Sequence, residues 1–206
     1  MSDDPVVVTG AAGFIGRWVV NELLDRGYAV TGIDNLSNGS ERNIAAFRDN
    51  PDFTFIEGDV REQEIIDEAI TPETPACLHL AAEIDVQESL DDPDSHFRTN
   101  VVGTQHVLEA CRRTDTRLGL VGTCMVYDMA DSDAGIDEDH PVKPASPYAG
   151  SKLAAENLAE SYYHGYDLPV TILRPFNTYG PFQKTGMAGG VVSIFTSRDI
   201  NDEQLK

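Results

Sequence analysis

Six short apolar runs punctuate the chain, at 5–9, 28–33, 53–57, 76–80, 118–123 and 169–173, and each predicts a strand. Between them lie stretches with helical spacing, near 14–26, 62–70, 94–113 and 148–164. The first helix is the best defined: Phe14, Ile15, Trp18, Val19, Leu23 and Leu24 fall on one face, and Gly27 stops it. Regular alternation of strand and helix predicts an α/β fold, a Rossmann-type doubly wound parallel sheet with helices on both faces. Internal repeats, low-complexity segments and Pro/Ser-rich linkers are absent from the sequence. The acidic loop at 128–147 carries three prolines and one glycine, and is expected to run over the surface near the strand ends, where ligands bind. The stretch from Gly186 to Lys206 has one amphipathic piece (Val191, Val192, Ile194, Phe195) and then turns polar. Residues 1–180 are therefore expected to form one domain, and 181–206 the beginning of a second whose remainder is missing.

The first strand-to-helix junction is the most informative part of this pattern. Residues 9–16 read Thr-Gly-Ala-Ala-Gly-Phe-Ile-Gly, directly after Val6-Val7-Val8. A buried strand that ends in a glycine-rich turn and opens a helix aims free N–H groups at whatever lies above the strand end, which suits a pyrophosphate. Gly10 can make the tight turn, Gly13 lets the backbone approach the phosphates, and Gly16 lets the helix lie close to the sheet. The second strand ends at Asp34, eighteen residues beyond Gly16. An acid at that distance can accept both ribose hydroxyls of an adenosine and would repel a 2′-phosphate. The expected cofactor is NAD, held by Gly10, Ala12, Gly13, Phe14, Ile15, Gly16, Asp34 and Asn35.

Charge changes the picture of partners and surroundings. Thirty-five acids face fifteen bases for a formal net charge of −20, and only four of the bases are lysines. The acids are spread along the chain, for example Glu62, Glu64, Asp67 and Glu68, then Asp91, Asp92 and Asp94, then Asp131, Asp133, Asp137, Glu138 and Asp139. Such a surface repels nucleic acid and, in dilute buffer, repels itself. High salt screens that repulsion, so the composition points to a salt-rich cytoplasm of the halophilic type. The start, Met1-Ser2-Asp3-Asp4, is acidic where a signal peptide would be basic, and no apolar stretch is long enough to span a membrane. Cys77, Cys111 and Cys124 are scattered and odd in number, which suits a reducing cytoplasm. Neither they nor the five histidines fall at metal-ligand spacing, and no metal is expected.

Candidate chemistry sits at the start of the fourth long helix. Tyr148 and Lys152 are four apart and share a face, with Ser146 as a plausible cap. A free phenol, with a pKa near ~10, is a poor base at neutral pH. A lysine ammonium beside it would favour the phenolate, and the positive nicotinamide ring of NAD⁺ would favour it further. That gives a base able to take a proton from a sugar hydroxyl while hydride leaves the same carbon. Thr123, at the end of the fifth strand, can hold the substrate oxygen.

In these features the chain resembles an extended short-chain dehydrogenase/reductase of the NAD-dependent sugar-nucleotide epimerase/dehydratase family, in its 4-epimerase-like form. The resemblance covers essentially all 206 residues. It rests on Thr9 to Gly16, Asp34-Asn35-Leu36-Ser37, Gly58-Asp59-Val60, His79-Leu80-Ala81-Ala82, Asn100-Val101-Val102-Gly103-Thr104, Thr123 to Tyr127, the Tyr148/Lys152 pair and Arg174 to Pro181. It implies that Asp59 and Val60 contact the adenine, that Ala81 and Ala82 lie along the cofactor, and that Asn100 sits near the nicotinamide ribose. It also implies that Pro175 borders the nicotinamide and that Asn177 contacts a nucleotide-sugar substrate. The same family pattern implies a homodimer through the helices near 94–113 and 148–164, where Val101, Val107, Leu108, Leu153 and Leu158 supply apolar surface.

The departures from the family pattern bear on the reaction. Where 4,6-dehydratases of this family carry Asp and Glu after the active-site Ser/Thr, this chain has Cys124 and Met125. Methionine cannot move a proton and a thiol is a weak acid, so the usual elimination machinery is absent. This favours a 4-epimerase, which removes and returns hydride at C4. Cys124 keeps a dehydratase open, and a non-catalytic NAD sensor is a third reading. Glu83 and Asp128 are also atypical; either could face substrate.

Overall fold

The computed structural model describes residues 4–130, 135–185 and 190–204. Residues 1–3, Asp131, Asp133, Gly186 and Lys206, which figure in the expectations above, lie outside them. Strands β1 Val6–Thr9, β2 Val30–Asp34, β3 Phe53–Glu57, β4 Ala76–His79, β5 Arg117–Val121 and β6 Val170–Leu173 form one sheet in the order β3-β2-β1-β4-β5-β6. Every neighbouring pair is parallel; Val7 lies opposite Thr31 on one side and Cys77 on the other. The chain winds outward from β1 to β3, then returns to β4 on the far side of β1. The strand ends of β1 and β4 thus flank the reversal of winding, where sheets of this type bind ligands.

The sheet carries a core on each face. Val7, Ile33, Val107, Leu108, Leu118 and Leu120 belong to one cluster, and Val8, Ala11, Val20, Val30, Ile44 and Phe53 to the other. Adjacent Val7 and Val8 point to opposite faces, as the two-residue strand period requires. Both are fully buried, which is why the run reads as continuously apolar. Helices α1 Phe14–Asp25 and α2 Glu41–Ile44 pack on the second cluster; α3 Gln63–Ala69 and, further along, α6 Gly103–Thr114 and α7 Pro147–Tyr166 pack on the first.

Several boundaries differ from the pattern. The helix expected over 94–113 is three pieces: α5 Pro93–Phe97, a π-helical turn Arg98–Val102, and α6. Asp92 caps α5 by accepting from the Ser95 N–H, with Pro93 in the first turn. Short α2 and α4 Val86–Asp91 were not expected, because their apolar content is too small for a periodic signal; side-chain caps at Ser40 and Asp85 hold them. β5 stops at Val121, and Thr123 instead caps a single 3-10 turn, Cys124–Val126. Ser146 caps α7 by accepting from the Ala149 N–H. The loop after Tyr127 is pinned by a lone antiparallel bridge between Tyr127 and Val142. Val107 and Leu108, expected on an interface, are fully buried against the sheet, while Leu90, Phe97, Tyr163 and Tyr166 are exposed. The last helix, α8 Val191–Ile200, buries no residue. Among the described residues no helix is long and apolar enough to cross a membrane.

Candidate functional site

A cleft of about 1410 Å³ lies along the carboxyl ends of the strands. Gly10, with φ +71, turns the chain out of β1, and a Cβ there would lie 2.8 Å from the Ala81 nitrogen. A Cβ on Gly16 would stand 1.9 Å from the Gly10 carbonyl oxygen, so α1 rests directly on the turn. The helix cap, Gly13, makes no side-chain hydrogen bond and lines the cleft with Phe14, Ile15 and Gly16. The first N–H groups of α1 thereby face an open space suited to a diphosphate.

Asp34 lines the cleft although it is mostly buried. Its Oδ2 accepts the Ala12 N–H at 2.9 Å and its Oδ1 the Leu36 N–H at 2.8 Å. Burial pushes its pKa up, and these backbone hydrogen bonds oppose that rise. The carboxylate still has acceptor capacity for a ribose hydroxyl. Ala12 thus serves the site through its amide and does not line the cleft. Asn35 and Val60 line it; Asp59 does not. Burial raises the Asp59 pKa, but hydrogen bonds from Arg61 and Asn35 outweigh it and bring the group down to about 2.

Ala81 and Ala82 border the middle of the cleft and are held from beneath. Thr104 gives its hydroxyl proton to the Asn100 carbonyl at 2.6 Å, so His79 Nε2 donates to Thr104 at 3.0 Å. His79 Nδ1 then accepts from the Thr9 hydroxyl at 2.6 Å, and Thr9 Oγ1 takes the N–H groups of Leu80 and Ala81. Burial, reinforced by the Lys152 charge, lowers the His79 pKa to about 3, which keeps this chain of bonds neutral. Asn100 works similarly from the π-helical turn: Oδ1 accepts the Glu83 N–H, and Nδ2 donates to the Glu83 carbonyl and to Ser151 Oγ, each at 2.9 Å. It is buried and does not line the cleft, unlike Glu83. The roles of His79 and Asn100 as supports were not visible in the sequence.

At the other end the cleft is lined by Thr123, Cys124, Met125, Tyr148, Lys152, Pro175 and Asn177. Thr123 hydrogen-bonds the Tyr148 side chain and accepts the Met125 N–H at 3.2 Å. Lys152, buried but for its edge on the cleft, donates from Nζ to the Val121 carbonyl at 2.7 Å. Burial lowers its pKa to about 8, with Glu156 pulling the other way. Burial raises that of Tyr148, and the Thr123 hydrogen bond offsets only part of the rise. In the chain itself, desolvation outweighs the groups that lower Tyr148, and the Lys152 ammonium donates to a backbone carbonyl. The Cys124 thiol is pushed up by burial as well. Asp128 lies off the cleft, paired with Lys143 at 3.4 Å. No group of His, Cys, Asp or Glu that could hold a metal occurs among the described residues.

One segment missed in the sequence crosses to the cofactor end. Trp18 Nε1 donates to the Pro181 carbonyl at 3.3 Å, the Arg17 guanidinium sits 3.7 Å above the Phe182 ring, and Lys184 Nζ donates to Asn38 Oδ1 at 2.6 Å. Residues 181–184 are thus latched onto α1 and the loop after β2.

Residues 6–204 match the NAD dependent epimerase/dehydratase family. The chain belongs to that family. It is 37% identical over 198 residues to the UDP-glucose 4-epimerase of Mycolicibacterium smegmatis, a match covering 92% of this chain and 61% of that protein. Among solved structures, Pal from Bacillus thuringiensis is 47% identical with a TM-score of 0.91, over 96% of this chain and 64% of its own. A dTDP-glucose 4,6-dehydratase from Streptomyces venezuelae, DesIV, solved with NAD bound, is 32% identical with a TM-score of 0.90, over 97% of this chain and 63% of its own. The chain thus spans less than two thirds of the length of these relatives. NAD is the cofactor by which the family is described, and the glycine turn, the open start of α1 and the Asp34 carboxylate fit it.

Proposed function

We propose that this chain is the NAD-binding and catalytic part of a nucleotide-sugar 4-epimerase, working as a homodimer in a salt-rich cytoplasm. Residues 1–180 hold the cofactor and the reacting groups, and 181–206 begin the unit that holds the sugar nucleotide. NAD in the cleft would supply the group that takes up and returns hydride at C4. Tyr148 takes the proton of the C4 hydroxyl, Thr123 holds the same oxygen, and the Lys152 ammonium stabilises negative charge nearby. Burial raises the pKa of Tyr148, and a cationic nicotinamide ring beside it would lower it and favour proton removal. Asn177 contacts the sugar nucleotide, and Pro175 the nicotinamide. Exposed Leu90, Phe97, Tyr163 and Tyr166 supply the apolar surface for dimerisation.

The observation that carries the choice of reaction is the pair after Thr123. Cys124 and Met125 line the cleft where an elimination would need an acid and a base, and burial makes the thiol a still weaker acid. The second reading, a 4,6-dehydratase, rests on the same Cys124 thiol as proton donor. Incubating a full-length version, with the sugar-nucleotide unit complete, with UDP-, dTDP-, GDP- and CDP-sugars and following the products by NMR separates the readings. A C4 epimer is expected; a 4-keto-6-deoxy sugar would replace the epimerase with the dehydratase, and NAD binding without any product in that full-length version would leave a sensor. In the active protein, Tyr148→Phe should lower turnover by roughly 10²–10⁴-fold while leaving NAD binding intact.

A further inference from the structure

Tyr148, Lys152 and Glu156 follow one another at four-residue steps on α7, and all three are buried. Glu156 is 2% exposed. Its Oε2 accepts from Nε of Arg174 at 2.9 Å and forms an ion pair with a terminal nitrogen of the same guanidinium at 2.8 Å. Its Oε1 has no hydrogen-bond partner among the described residues and lies 2.0 Å from where a Cβ on Gly122 would stand. Gly122 separates Val121, whose carbonyl receives Lys152, from Thr123. Arg174 follows β6 directly and stacks over the Tyr127 ring at 4.8 Å, while Tyr127 lies parallel to Phe176 at 6.3 Å.

A buried ion pair adds little stability over apolar residues of the same shape, because desolvation cancels most of the attraction. Packing alone therefore does not account for a carboxylate here. Its charge acts on what lies beside it, and the nearest functional cation is one helical turn away. We propose that Glu156 is a positioning residue: it keeps the Lys152 ammonium charged and seated behind Tyr148, while its pairing with Arg174 fixes the start of the 175–177 segment. The proposal rests on the reading that Lys152 serves the tyrosine base and the cofactor. Burial alone lowers Lys152, and Glu156 is the carboxylate that raises it. The other ionisable groups around Lys152 are Tyr148 on its own helix, Cys124 after β5, neutral His79 on β4, and Arg174 after β6. None of these supplies a negative charge at neutral pH.

The chain contains four lysines, so labelling the lysine side chains with ¹³C at Cε gives few NMR signals, and Lys152→Met assigns the relevant one. Its midpoint is expected near about 8. Glu156→Gln should lower that midpoint by about one unit or more. Should the single change leave Arg174 unpaired and the protein unfolded, Glu156→Gln/Arg174→Gln removes both charges and should still lower the midpoint, by less than the single change, because no uncompensated guanidinium remains. Arg174→Gln alone should not lower it. NAD affinity, measured by calorimetry, should drop in Glu156→Gln at pH 8 and recover at pH 6, where Lys152 is recharged; a loss of packing would not recover. An unmoved Lys152 midpoint in a folded variant lacking Glu156 overturns the proposal, as does an equal fall in Arg174→Gln. Failure of the wild-type protein to bind NAD would instead refute the cofactor reading, and the lysine titration would still decide the role of Glu156.

Discussion

Gly16→Ala is the smallest change that tests how the cofactor turn is built. The added methyl would stand 1.9 Å from the Gly10 carbonyl oxygen, 2.8 Å from its carbon and 3.0 Å from the Ala11 Cα. Ordinary contact begins at 3.4 Å, so the closest pair is about 1.5 Å too near. All three atoms are backbone, and no side chain can swing aside. Gly10 cannot retreat either: its own ideal Cβ position is already within 2.9 Å of the Leu80–Ala81 backbone, which Thr9 and His79 hold. Overpacking of this kind costs roughly 1–3 kcal/mol and more where nothing relaxes. At about 2–4 °C per kcal/mol for a chain of this size, Tm should fall by roughly 6 °C or more. Gly165→Ala is the control: it lies in α7 with nothing within 4 Å of its Cβ position, so it should raise stability by about 0.5–1 kcal/mol. Thermal melts of both variants, with calorimetry for NAD, make the test. A Gly16→Ala protein with unchanged Tm and unchanged NAD affinity would refute the geometry.

Asp34→Ala should weaken NAD and narrow the preference over NADP, since the carboxylate both accepts ribose hydroxyls and opposes a 2′-phosphate; equal affinity of the wild-type protein for the two cofactors would remove that role. Stability should rise between low and molar KCl as the net charge of −20 is screened, and a Tm independent of KCl would remove the salt argument. Acid should destabilise the fold through His79. Its folded pKa of about 3 lies below the ordinary 6.5, so its contribution is complete above pH 6.5 and is lost as pH falls toward 3. The slope is about 1.4 kcal/mol per pH unit, and His79→Gln should flatten denaturant-measured stability between pH 6.5 and 4.

What the sequence made legible were demands that a residue satisfies locally. Glycines at 10, 13 and 16, an acid closing β2, a capped helix opening on Tyr148, and apolar runs of strand length each declare themselves within a few positions. The doubly wound sheet follows from them, because consecutive parallel strands need helical crossovers. What stayed hidden were bonds between distant positions. His79 and Thr9 are 70 residues apart, Asn100 and Glu83 17, and Lys184 and Asn38 146. Periodicity reports which face is buried and is silent on which polar groups meet inside it. The π-helical turn at Arg98–Val102 was hidden for the same reason, since its wider winding is compatible with an ordinary helical pattern.

This division explains why the tyrosine–lysine pair was legible and the groups that set its electrostatics were not. Spacing on a helix gives proximity, and proximity suggested that the ammonium acts on the phenol. The outcome is set by groups from other elements: the Val121 carbonyl on β5 that Lys152 donates to, the burial that raises Tyr148, and the Glu156 charge held by Arg174 beyond β6. A phenol buried in this way holds its proton more tightly, and a positive charge beside it would loosen that hold. If NAD⁺ is that charge, proton removal is tied to occupation of the cleft by the oxidised cofactor, and the reduced form, having lost the charge, favours return of the proton to the sugar oxygen. That coupling suits a reaction in which hydride leaves and comes back within one binding event.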